Sequence, residues 1–89
     1  MDALWNTRWA AAAKPAPDSF VVGYKMFGPA WCRYCLGVPT LDEAVREAEE
    51  LIAQKREWIY RVSVFPLAIW NYYKPTAEPV WDWWKNGKG

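Results

Sequence analysis

The sequence predicts a small single α+β domain, an antiparallel four-stranded sheet in the order β-β-α-β-β with one amphipathic helix packed on one face. Three observations predict it. One capped stretch of helical periodicity lies mid-chain, runs of β-forming residues stand on either side of it, and Pro or Gly punctuates the runs. At 89 residues there is room for one domain. A chain of this length buries roughly 60–65% of the surface its unfolded form exposes, so each large apolar residue counts.

The chain divides into three parts. Residues 1–19 form a Trp-containing segment and linker: Leu4, Trp5 and Trp9 precede an Ala run that fits a short helix, and Lys14-Pro15-Ala16-Pro17 makes a stiff extended connection. Residues 20–73 form the globular core. Within it, residues 20–27 alternate and are rich in β-formers, Gly28-Pro29 signals a turn, and residues 31–38 run back. The helix starts at Thr40, whose hydroxyl can accept from the Glu43 N–H in a capping box. Its apolar stripe is Leu41, Ala44, Val45, Ala48, Leu51 and Ile52, and it ends near Arg56. Acidic residues gather in its first turns, and Lys55 and Arg56 close it, in the sense the helix dipole favours. Residues 58–65 form the strongest strand. Pro66 breaks it, and residues 67–73 resume as a weaker strand suited to a sheet edge, because Pro donates no ladder bond. Residues 74–89 form a Trp-rich C-terminal segment. In it Pro79 suits the first position of a helical turn and Asn86-Gly87 its end, which sets Trp81 and Trp84 on one side.

Alternation assigns the two sheet faces. Phe20, Val22, Tyr24 and Met26, then Cys32, Tyr34, Leu36 and Val38, then Trp58, Tyr60, Val62 and Val64 should meet the helix. The opposite face collects Val21, Lys25, Phe27, Trp31, Arg33, Cys35, Ile59, Arg61, Ser63 and Phe65, a mixed basic and aromatic set. It either binds something or is covered by the Trp-bearing segments.

Composition narrows the functional classes. The chain holds eight Trp, five Tyr and three Phe but no His. The usual general base and the commonest metal ligand are therefore missing, while the aromatic area exceeds what one helix can cover. Eleven Lys and Arg stand against ten Asp and Glu, so no whole-molecule field draws the chain to nucleic acid. No uninterrupted apolar run is long enough to span a membrane, and Asp2 and Arg8 make the N-terminus read poorly as a signal peptide. The expectation is a cytoplasmic protein that binds no membrane.

Trp31-Cys32-Arg33-Tyr34-Cys35 resembles the redox motif of glutaredoxins, where a Cys-x-x-Cys with Tyr in third place follows a strand. That resemblance implies a thiol oxidoreductase acting through Cys32 and Cys35. It covers five residues, and the pattern departs after them: Leu36 to Pro39 separate the cysteines from the helix, so its N-terminus cannot stabilise a Cys32 thiolate. Two cysteines without His also fall short of a closed zinc site. No metal or other cofactor is expected.

The favoured expectation is a non-enzymatic protein that acts by protein–protein contact on a larger protein or ribonucleoprotein complex. Trp31, Arg33, Arg61, Phe65, Trp81, Trp83 and Trp84 are its expected contact residues, because interface hot spots are enriched in Trp, Tyr and Arg. In size and organisation alone the chain is similar to small phage or mobile-element accessory proteins, anti-CRISPR inhibitors among them, which implies steric blockade of a host complex. The alternative is single-stranded nucleic-acid binding by the basic-aromatic face. Homodimerisation through leftover aromatic surface is a further expectation.

Overall fold

The computed structural model describes residues 17–26, 28–55, 57–71 and 74–87. Strands β1 (Phe20–Lys25) and β2 (Cys32–Val38) precede helix α1 (Leu41–Lys55), and strands β3 (Arg61–Pro66) and β4 (Trp81–Trp84) follow it. The strands form one sheet in the order β2-β1-β3-β4, every neighbour antiparallel. The predicted α+β architecture is therefore present. No helix among the described residues is long and apolar enough to cross a membrane. The N-terminal helix expected before residue 14, and Phe27, lie outside the described residues.

Helix α1 begins as its cap predicts: the Thr40 hydroxyl accepts from the Glu43 N–H at 3.2 Å, and the Thr40 carbonyl from the Ala44 N–H at 3.0 Å. Its small residues Ala44 and Ala48, with Leu51, are fully buried against the sheet. They meet Val22, Val62 and Val64 of the two central strands, where β-branched side chains present a flat apolar surface. Tyr24 lies in the same core. Burial, and secondarily the neighbouring Cys32, push its phenol up to about 12.

Two elements differ from expectation. The fourth strand expected at residues 67–73 is not formed by residues 67–71; residues 72 and 73 lie outside the described residues. Leu67–Ile69 form a short 3-10 turn instead, and the Leu67 N–H bonds to the Ser19 carbonyl at 2.9 Å, which turns the chain away from the ladder after Pro66. The fourth strand is Trp81–Trp84, expected as a helical turn. In it Val64 stands opposite Trp81, Val62 opposite Trp83 and Arg61 opposite Trp84. Proline serves equally at the entry to an edge strand, and the Gly87 N–H closes the exit turn on the Trp84 carbonyl at 3.2 Å. The expected pairing of Trp81 with Trp84 on one side therefore fails, and Trp81 shares its face with Trp83.

The faces of β2 also depart from simple alternation. Against β1, the register shifts twice: Phe20 and Val21 face Val38 and Leu36, and Val22 and Gly23 face Cys35 and Arg33. Gly37 and Tyr34 are the extra residues, and each bulge shifts the alternation by one. Gly37 sits at φ 80°, where a Cβ would be strained. The result moves Cys35 into the helix-side core and pairs Leu36 with Val21 on the other face. Ile59 likewise joins the helix-side core, while Trp58 sits in the turn after α1, 63% exposed.

Candidate functional site

The second face of the sheet is ordered by rows across the strands. Gly23, Ser63 and Asp82 form one row, and Lys25, Arg61 and Trp84 the next. Diagonal neighbours on such a face are within reach of long side chains. Arg61 uses that reach: its Nε and Nη2 donate to the two carboxylate oxygens of Asp82, both at 3.0 Å. The Ser63 hydroxyl also donates to Asp82, and the Trp84 indole N–H does so at 2.9 Å. Burial pushes the Asp82 carboxyl up, but the bonds from Arg61, Ser63 and Trp84 and the Arg61 charge outweigh it and hold the group below its ordinary value.

Aromatic rings extend this network. The Arg61 guanidinium carbon lies 4.9 Å from the Trp31 ring centroid and 4.3 Å from that of Trp84, the placement a ring quadrupole favours for a cation. Lys25 Nζ lies 4.7 Å from the same Trp31 ring. Burial, then the Arg61 charge, draw the Lys25 ammonium below its ordinary pKa, with Asp82 opposing them. Trp31 meets Phe65 edge-on at 5.1 Å, and Trp70 packs against Phe65 at 5.5 Å and against Trp31 at 6.4 Å.

Trp70 reaches the sheet because of Gly23. A Cβ at that position would stand 2.8 Å from the Trp70 ring, so the indole lies on bare backbone. With Trp31 6% exposed and Phe65 1% exposed, this face is a second small core, covered by the chain that follows β3.

The expected contact residues thus separate. Trp31, Arg61, Phe65 and Trp84 come together on the second face with Lys25, and half-buried Arg33 lies opposite Gly23 there. Trp81 and Trp83 lie on the other face, half-buried against the edge of the helix-side core. Asp82 and Trp70, which organise the second face, are missing from the sequence-based set. Reading Trp81-Asp82-Trp83-Trp84 with a period of two, as a strand, would have found Asp82.

Cys32 and Cys35 lie in β2 and are not joined in a disulfide, the first exposed and the second fully buried. Helix α1 starts at Leu41 and offers Cys32 no N-terminus. Among the described residues no three His, Cys, Asp or Glu side chains gather as a metal site. Comparisons with known protein families, with curated proteins and with solved structures find no match to this chain.

Proposed function

We propose that this chain is a non-enzymatic binding protein that acts by protein–protein contact, using the β4 edge and the Trp81 and Trp83 side chains as its seat. One observation carries the reading: an edge strand of the sheet carries three Trp in four residues, each of them half-buried rather than sealed. β4 ends the sheet, so its outer backbone edge has no strand beside it among the described residues. Trp81 and Trp83 are half-buried on its helix side, and Val80, just before it, is 49% exposed. An open edge can accept an extended partner segment through main-chain bonds, with side-chain pockets giving selectivity.

The aromatic groups of the second face are engaged inside the fold. Trp31 and Phe65 are buried and the Arg61 fork is held by Asp82, which disfavours base stacking on the mixed face as the mode of action. Blockade of a larger protein or ribonucleoprotein assembly, in the manner of a small phage inhibitor, is the form of contact that suits so small a chain.

The test is co-elution of the purified chain with host complexes on a sizing column. The wild type is expected to carry a defined protein partner. Trp83→Ala and Val80→Glu, with unfolding midpoints checked beside it, are expected to weaken that complex about tenfold or more. A partner held equally by both variants, or capture of nucleic acid alone, contradicts the reading.

A further inference from the structure

A second site lies on the opposite face, apart from the β4 contact. The segment Lys74–Pro79 arches over the sheet and leaves a cleft of about 240 Å³ above Trp31. The arch is held at both ends. The Lys74 N–H bonds to Asn71 Oδ1 at 3.2 Å, the Thr76 N–H to the Ile69 carbonyl at 3.3 Å, and the Val80 N–H to the Val64 carbonyl at 2.9 Å. Two prolines, Pro75 and Pro79, stiffen it between those bonds.

The charged lining is unbalanced. Lys25, Arg61 and Lys74 face the cleft against a single carboxylate, Glu78. Arg61 is neutralised by Asp82 through its Nε and Nη2. The Lys25 ammonium rests over Trp31 and has no salt-bridge partner among the described residues. A part-buried cation in that position favours an arriving anion, which restores its solvation and its charge partner.

The donor geometry selects among anions. A planar carboxylate is best met by the guanidinium fork, and Asp82 already occupies it. What remains are two ammonium groups on separate elements, donors of point-charge character, and the outer N–H groups of Arg61. Such a set suits a tetrahedral oxyanion. We propose that this cleft binds the phosphoryl group of a small phosphate monoester, held by Lys25, Lys74 and Arg61, with the organic part of the ligand against Pro75 and Pro79.

Isothermal titration with phenyl phosphate and with inorganic phosphate tests it. Saturable binding of phenyl phosphate is expected, competed by inorganic phosphate and weakened about tenfold by Lys25→Gln and by Lys74→Gln, since each removes one charge-assisted bond. Tighter binding of phenyl phosphate identifies an ester as the ligand, and equal binding identifies the free anion. Trp83→Ala is expected to retain this affinity, which separates the cleft from the β4 contact. Lack of saturable phenyl phosphate binding by the folded wild type overturns the proposal, as does affinity unchanged in both lysine variants.

Discussion

Phe65→Ala is expected to lower the unfolding free energy by about 4 kcal/mol, the range for deleting a buried ring. The site explains the size. Phe65 is almost wholly inaccessible, stands opposite Val21 in the ladder, and is enclosed by Trp31 and Trp70. It lies on the side of the sheet that α1 does not cover. Truncation leaves the two indoles facing a void and removes an edge-on aromatic contact as well. Were this face an open platform for a ligand, the same change would cost well under about 1 kcal/mol, the usual scale for surface substitutions. Urea unfolding followed by circular dichroism separates the two outcomes. Small domains hold only about 5–15 kcal/mol in total, so the predicted loss is a large fraction of the fold's margin.

Asp82→Ala is expected to cost about 3 kcal/mol. Three donors converge on this carboxylate: the Arg61 fork, the Ser63 hydroxyl and the Trp84 indole. Removing it strands a largely shielded guanidinium and a fully buried hydroxyl, and breaking one partner of such a pair is costly because the other stays desolvated. Acid titration of stability provides a second readout. The folded-state pKa of Asp82 lies below its unfolded value, so its stabilisation is complete above the ordinary carboxylate value and is lost as pH falls through the lowered one. Asp82→Asn is expected to be less stable than wild type at neutral pH and to close that gap in acid. A constant gap across the acid range contradicts the assignment.

Much of the fold is legible in local chemistry. Thr40 and Glu43 mark the start of α1, its stripe at helical spacing marks the buried face, and Val62 and Val64 alternate with Arg61 and Ser63 as a half-buried strand requires. These signals are carried by residues close together in the chain. The fourth strand is illegible for a physical reason. Trp81 to Trp84 is so short that helical and extended periods both fit it, and only pairing with β3 decides between them. The bulges at Tyr34 and Gly37 depend in the same way on the β1 register, so Cys35 and Leu36 exchange faces without a local mark.

The candidate site follows the same division. Its residue types were readable, since Trp31, Arg61 and Phe65 fall on one face by alternation. Their burial was not, because Trp70 closes over Gly23 from a segment with no strong pattern of its own. The half-buried Trp81 and Trp83 lie on the β4 edge, among the residues that the helical reading misplaces. The arch of Lys74–Pro79 is similarly defined by long-range bonds to Ile69 and Val64.

The account rests on a division of the tryptophans into a sealed set and an open set. Its most direct test is broadening of the indole N–H resonances by a soluble paramagnetic agent, recorded on the isolated chain. Trp58, 63% exposed, is expected to broaden most and the half-buried Trp81 and Trp83 less, while Trp31, 6% exposed, and Trp70, whose indole nitrogen is buried, stay sharp. Broadening of Trp31 to the extent of Trp58, with Trp81 and Trp83 protected, contradicts the account.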